Sequence, residues 1–331
     1  MTKKIDLNEN IFIAGSNGMV GSAIIRELKK QGYGNASKGG ILLSPTRKEL
    51  DLLNSNEVLD FFVRRKPSIV IIAAAKVGGI IANLDSPADF ILENLKIQTN
   101  IIETSWKLGV KRLVFLGSSC IYPKYASQPI KEESLMSSSL EQTNEYYAIA
   151  KIAGIKLCES LRKQYNFDAI SLMPTNLYGP GDNYHHKNSH VMASLIRKFN
   201  DAKKSNKQKV ICWGTGNPKR EFLHVDDLAR AVVFALEKWD PSEMHAPKDS
   251  IGQELNYLNV GTGIDISIRK LASLISEIVG FKGEIAWDTS KPDGTPQKLL
   301  DVTRINKLGW FPDINLEDGI KQTISDINSI N

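Results

Sequence analysis

The sequence predicts an α/β protein: a doubly wound parallel sheet followed by a smaller mixed α/β domain. Three observations carry this. Over residues 1–180, short and almost wholly apolar runs alternate with longer amphipathic stretches, as strands covered on both faces by helices do. Three glycines fall between the first apolar run and the first amphipathic one. After Pro180 the alternation loses its regularity and loops lengthen, as in GPGDNYHHKNSH, WGTGNPKR and TSKPDGTPQ. The expected division is 1–180 and 181–331, with segments near 222–240 and 256–262 returning to the first domain.

The elements follow in order. NIFIAG (10–15) is a strand, and MVGSAIIRELKKQG is a helix closed by Gly32. GILLS (40–44) and SIVIIAAA (68–75) are strands, the latter rich in β-branched residues. A long helix starts at Pro87 and runs to about Leu108. RLVFLGS (112–118) is the fourth strand, NEYYAIAKIAGIKLCESLRKQY a long helix and DAISLMPTN the fifth strand. LHVDDLARAVVFALEK reads as a helix with acids in its first turn, and YLNVG (257–261) as a short strand.

Bulk properties exclude several classes. The chain of 331 residues is 42% hydrophobic and 24% charged, an ordinary globular composition. Its net charge of +5 is spread out, apart from short clusters such as NDAKKSNKQK at 200–209, and no basic stripe is interleaved with aromatics. That balance suits an anionic small molecule and argues against nucleic acid as partner. Three cysteines, Cys120, Cys158 and Cys212, form neither a disulfide framework nor a zinc pattern, so a reducing compartment is expected. MTKKIDLNEN is polar, IFIAG is too short for a signal core, and no run is long enough for a bilayer. A cytoplasmic protein without a membrane partner is the expectation.

The glycine turn AGSNGMVGSAI sets Gly15, Gly18 and Gly21 between strand and helix. Gly15 permits the tight turn, Gly18 lets the backbone approach a pyrophosphate, and Gly21 lets helix and strand pack closely. The helix N-terminus then offers free N–H groups to phosphates. With Met19 and Val20, these are the candidate cofactor-binding residues of a Rossmann-like domain. The spacing is G-x-x-G-x-x-G, and by it the chain resembles the extended branch of the short-chain dehydrogenase/reductase superfamily. After the second strand, LLSPTRKELDL offers Arg47 beside Ser44 and Thr46 where an NAD enzyme offers an acid to the ribose. NADP(H) is therefore the expected cofactor, with Arg47 toward its 2′-phosphate.

Tyr147 and Lys151 in EYYAIAK share one helix face, whereas Tyr146 has no lysine four residues on. A neighbouring ammonium is expected to lower the phenol's pKa and fit it to protonate a ketone oxygen as hydride arrives at carbon. Lys151 can also bond the nicotinamide ribose, and Ser118 at the end of the fourth strand can hold the same ketone oxygen. Cys120, two residues further, is either a small buried hydrophobe or a base for the acidic carbon beside a ketone. His190 is either a helix-terminal or surface group, or the acid that returns a proton on the opposite face. His186 and His190 stand at i and i+4, but no third ligand is evident nearby, so no metal is expected.

Ten motifs converge: GMVGSAI, TRKELDL, AAAKVGGI, NLKIQTNIIETS, GSSCIYPK, EYYAIAK, PTNLYGPGDN, SHVMASLIRKF, WGTGNPKREFLHVDDLA and SKPDGTPQKLLDV. Through them nearly the whole chain resembles the GDP-L-fucose synthases, the GDP-4-keto-6-deoxy-D-mannose 3,5-epimerase-4-reductases. The resemblance implies inversion at C3 and C5, flanking the C4 ketone, then NADPH-dependent reduction at C4. It implies Cys120 as epimerisation base, His190 as acid, and Ser118, Tyr147 and Lys151 as the reductase triad. It further implies Lys198, Trp213, Arg220 and Lys298 at the nucleotide sugar, Asn176 and Leu177 on the floor between cofactor and sugar, and a homodimer through long helices of the cofactor domain. Two positions depart from the family. Asn17 stands where an arginine often helps hold the 2′-phosphate, and Lys198 where a second arginine is frequent. The competing readings are a nucleotide-sugar 4-epimerase or 4,6-dehydratase of the same branch, and a non-catalytic NADP-sensing protein. A dehydratase would be expected to show an acid where Cys120 stands, and a sensor to lack Tyr147 or Lys151.

Overall fold

The computed structural model describes residues 3–185, 189–291 and 293–330. Six strands, β1 (Asn10–Ala14), β2 (Ile41–Leu43), β3 (Ile69–Ile72), β4 (Arg112–Leu116), β5 (Ala169–Pro174) and, later in the chain, a strand at Tyr257–Val260, form one sheet. The order is β2-β1-β3-β4-β5-(Tyr257–Val260) and every pairing is parallel. The expected class and the doubly wound parallel sheet are thus found. Strands β3, β4 and β5 are buried along their whole length, which is why they read as unbroken apolar runs.

Helices α1 (Met19–Lys30), α2 (Ser55–Arg65), α4 (Pro87–Lys107), α5 (Glu145–Tyr165) and α7 (Val225–Lys238) cover both faces, while α3 (Ile80–Asp85) leads into α4 and α6 (Val191–Lys204) belongs to a second core. On β4, Arg112 reaches toward α7, where it donates to the carbonyls of Ala235 and Trp239. Phe115, three residues on and so on the opposite face, packs on α5. A Cβ on Gly154 of α5 would come within 2.5 Å of Phe115 Cζ, so only glycine allows this approach of helix to strand.

Helix α2 has no counterpart in the expected elements. Asn54 caps it by accepting from the N–H groups of Asn56 and Glu57, and Val58 and Phe62, four apart, turn inward. The expected helix at 223–238 is shorter at its start. Leu223 and His224 finish a strand, and the helix begins at Val225.

Beyond β5 come β6 (Asn176–Tyr178), β7 (Lys209–Trp213) and β8 (Lys219–His224), then β9, the Tyr257–Val260 strand, and β10 (Asp265–Ser267), β11 (Glu284–Asp288) and β12 (Gln297–Lys298). A second sheet runs β10-β8-β12, with β6 also pairing β8; β7 and β11 pair by themselves. Helices α6, α8 (Ile268–Val279) and α10 (Leu316–Ile330), the last preceded by the short α9 (Thr303–Lys307), lie around them. Leu195, Ile196, Phe199, Phe222, Leu271 and Ile275 form this second core, separate from the core of the large sheet. The two are stitched together after β4. Gln128 donates to the Gln297 carbonyl and accepts from Leu299 N–H, and Ile130 N–H donates to the Leu299 carbonyl.

A buried ion pair fixes that seam. Glu132 is 1% exposed; it bonds Arg304 and accepts from Asn259 N–H at 3.0 Å. Burial still holds its carboxyl above the usual range, against the pull of Asn259 and Arg304. Replacing Arg304 by Leu leaves that carboxylate without its cation. Urea unfolding at neutral pH is expected to show a loss of about 3–5 kcal/mol. The loss should shrink below about pH 4, where the carboxyl is protonated in both folded and unfolded chains.

Candidate active site

The glycine turn lies at the switch point of the sheet, where β1 has β2 on one side and β3 on the other. Gly15 has φ of 81°, and a Cβ there would stand 2.7 Å from Ala74 N. A Cβ on Gly21 would collide with the Gly15 carbonyl. Above Gly18, by contrast, only the Gly15 carbonyl oxygen lies within 4 Å, so the backbone here is open to a ligand. Met19 and Val20 open α1, whose first turn carries no acid. Ser16 Oγ donates to the Pro45 carbonyl at 3.3 Å and draws the loop after β2 toward the turn. Arg47 on that loop is exposed and has no side-chain partner among the described residues. An open glycine backbone, a helix N-terminus without acids and a free cation on the adjoining loop together fit a dinucleotide bearing an extra phosphate.

The reacting groups gather where β4 ends. Ser118 caps a short turn, its Oγ accepting from Cys120 N–H at 3.2 Å, and it also hydrogen-bonds the Tyr147 phenol. Cys120 is partly exposed and unpaired. Asn144 Nδ2 donates to its Sγ at 3.2 Å, and Lys298 Nζ stands 3.8 Å from the same sulfur.

Tyr147 retains some open surface, yet protein surrounds it closely. Burial pushes the phenol well above its ordinary value, the Cys120 charge adds to the rise, and the Ser118 hydrogen bond opposes it. This corrects the expectation that Lys151 lowers that pKa. The lysine's Nζ is 5.9 Å from the Tyr147 ring centroid and donates instead to the Leu116 carbonyl at 2.8 Å. Lys151 is 4% exposed, and burial pushes its ammonium down to about 7.

His190 is the N-terminal cap of α6 and shares no hydrogen bond or ion pair with the Ser118–Cys120–Tyr147 cluster among the described residues. Its side chain is exposed, and desolvation by the surrounding protein lowers its imidazole pKa. His186 lies outside the described residues. Among those described, no group of three or more His, Cys, Asp or Glu side chains could hold a metal.

Arg220 and Lys298 are register partners on the parallel strands β8 and β12. Two cations side by side on one sheet face repel each other unless an anion sits between them. Burial lowers the Arg220 pKa despite the opposing charges of Cys120, Asp293 and Glu141. Lys198 and Trp213 form a separate cluster. Lys198 Nζ donates to the Ile211 carbonyl at 3.0 Å, and it and Lys291 Nζ lie 5.3 and 5.7 Å from the centroid of the Trp213 ring, which is 53% exposed. Burial lowers the Lys198 pKa. Asn176 Nδ2 is engaged with the Glu221 carbonyl at 2.7 Å, and Leu177 packs on the large core.

Asn144 is the site residue that reading the sequence missed. Its signal was faint: it stands at the entry of the EYYAIAK helix, three residues before Tyr147.

Residues 11–246 match the NAD dependent epimerase/dehydratase family. The chain is 53% identical over 318 residues to GDP-L-fucose synthase 1 of Arabidopsis thaliana, covering 96% of this chain and 93% of that protein. It is 51% identical over 315 residues to the GDP-L-fucose synthase of Escherichia coli (strain K12), covering 95% of each. Its fold resembles the crystal structure of a GDP-L-fucose synthetase from Naegleria fowleri bound to NADP, with a TM-score of 0.87 and 26% identity over 99% of this chain and 95% of that one. The chain belongs to the NAD dependent epimerase/dehydratase family and, within it, to the GDP-L-fucose synthases.

The Lys151 environment gives a stability test. Its folded pKa lies below the unfolded value, so between about pH 7 and pH 10.5 the unfolded chain holds the extra proton and stability rises with pH. Lys151→Met removes this penalty. The variant is expected to be more stable than the parent by up to about 4 kcal/mol at pH 7. The advantage should fade toward about pH 10.5 in denaturant titrations run across that range.

Proposed function

We propose that this chain makes GDP-L-fucose: it inverts C3 and C5 of GDP-4-keto-6-deoxy-D-mannose and then reduces C4 with NADPH. The observation that carries this reading is that a thiol, a serine hydroxyl and a phenol share one spot, with Ser118 bonded to both the Cys120 backbone and Tyr147. A ketone oxygen held by the two hydroxyls would have its neighbouring carbons within the thiol's domain.

NADPH, when bound, supplies the hydride that reduces the ketone. Gly15, Gly18, Met19, Val20 and Gly21 would hold its pyrophosphate, Arg47 its 2′-phosphate and Lys151 its ribose, with Asn176 and Leu177 on the floor. Ser118 and Tyr147 hold the C4 oxygen. Cys120 takes the proton from the carbon beside the ketone, and the electron pair moves onto that oxygen, where the two hydroxyls stabilise it. His190 returns a proton on the other face. Tyr147 afterwards gives its phenolic proton to the C4 oxygen. A phenol whose pKa is raised holds that proton until charge develops on the ketone. Arg220 and Lys298 take the diphosphate, and Trp213 with Lys198 the rest of the nucleotide.

Residues 1–180, with returning segments near 222–240 and 256–262, act as the cofactor domain and the rest of 181–331 as the substrate domain. No helix among the described residues is long and apolar enough to cross a membrane. Three unpaired cysteines support a cytoplasmic setting. Exposed Leu84, Leu92, Tyr146 and Ile149 on α3, α4 and α5 support a homodimer through these helices.

The test supplies GDP-4-keto-6-deoxy-D-mannose and NADPH, follows NADPH absorbance and identifies the sugar formed. The wild type is expected to yield GDP-L-fucose. Cys120→Ala should lose inversion by roughly 10²–10⁴-fold while slow reduction of uninverted sugar persists. A variant that still makes GDP-L-fucose at full rate would remove the thiol from the mechanism. Arg47→Ala is expected to raise the KM for NADPH about 10- to 100-fold and leave that for NADH unchanged. Equal effects on both cofactors would exclude Arg47 as the 2′-phosphate contact.

A further inference from the structure

Asn144 occupies the N-cap of α5, a position where asparagine ordinarily accepts from the free N–H groups of the first helical turn. Here its side chain makes no capping bond. It turns instead to the sulfur of Cys120, 3.2 Å from Nδ2, while Oδ1 is buried without a partner. A side chain that gives up its cap and leaves a buried acceptor unmatched serves something other than helix stability.

The chemistry of that contact has a direction. An amide N–H facing sulfur stabilises the thiolate, which accepts, over the thiol, which offers a hydrogen of its own. Lys298 Nζ, at 3.8 Å, acts in the same sense, and Arg220 also feels the Cys120 charge. These two cations are also the groups proposed for the diphosphate, so a bound nucleotide sugar competes with the sulfur for them. The neutral amide of Asn144 has no such competitor.

We propose that Asn144 is a positioning residue for epimerisation: it aims the Cys120 sulfur at the substrate and donates to it as it acts as base, through the step in which both cations are drawn to the diphosphate. In that step the C–H bond beside the C4 ketone breaks and an S–H bond forms. The electron pair passes to the ketone oxygen, and the amide loses its thiolate acceptor until the proton leaves. The inference rests on the reading of Cys120 as the base.

The test measures deuterium incorporation from D₂O at C3 and C5 of GDP-4-keto-6-deoxy-D-mannose across pH, beside NADPH-dependent reduction of the already inverted ketone. Asn144→Ala and Asn144→Ser are compared; serine can cap α5 but is too short to reach the sulfur. In both variants, exchange is expected to fall about tenfold further than reduction does, and the rising limb of the exchange profile to move up by about one pH unit. KM for the nucleotide sugar should stay unchanged. An unshifted profile, or a parallel fall of exchange and reduction, overturns the role. Cys120→Ala in the same assay separates the two ideas. If that variant still exchanges, the base assignment itself is wrong; if it is silent while the Asn144 variants exchange normally, only the role of Asn144 is wrong.

Discussion

The bond from Lys151 Nζ to the Leu116 carbonyl fixes the helix that carries the phenol against the strand end that carries the serine and the thiol. Its setting is strict. Gln98 Nε2 on α4 donates to the Ala150 carbonyl at 2.6 Å, beside the lysine, and Gly154 lets Phe115 press against α5. Fixed from both sides, α5 presents Asn144 and Tyr147 to the turn that follows β4. The lysine is buried without a carboxylate, and its lowered pKa records the cost. A fold selected for stability alone would place an apolar residue there, and the stability set aside at this point keeps the site in register.

A second tension lies across the cleft. Arg220 and Lys298 stand side by side, and burial disfavours the charge of Arg220. Glu221, next along β8, is fully buried, but it faces the other side of the strand. There it accepts from the backbone N–H groups of Thr262, Gly263 and Leu300 and does not neutralise its neighbour. The strand thus separates a satisfied structural carboxylate from two cations that no carboxylate pairs with among the described residues, the Cys120 sulfur being the group within reach of Lys298. Cations held on a rigid sheet with no paired carboxylate are preorganised for an anionic ligand.

Much of this was legible in the sequence. Strands buried on both faces announced themselves as apolar runs, and the glycine turn did so because Gly15 and Gly21 answer to close backbone contacts that no other residue permits. Tyr147 and Lys151 were readable as one helix face because local spacing controls which side chains share it, and Ser118 as a hydroxyl at the end of an apolar run. What stayed hidden depends on distance in the chain. Lys298 meets Cys120 across 178 positions, and no local pattern encodes that. Asn144 looked like an ordinary helix cap; only the fold shows its side chain turned away from the helix. The effect of Lys151 on Tyr147 was misjudged because i,i+4 spacing fixes a shared face and not where a long side chain ends.

The raised phenol then gains a meaning it would not have in a simple reductase. On the proposed reading the same oxygen must be stabilised as an enolate first and protonated only later. A phenol of low pKa would be largely ionised, would repel the enolate oxygen and would have no proton left to give. A phenol kept neutral by burial donates a hydrogen bond during inversion and a proton during reduction. The Cys120 charge, which raises the phenol further, couples the two halves: while the sulfur is anionic the tyrosine holds its proton more firmly. On the proposed reading, proton uptake by the sulfur relieves that restraint while the enolate oxygen takes over the negative charge beside the phenol, so the tyrosine keeps its proton throughout inversion and has it to give at reduction.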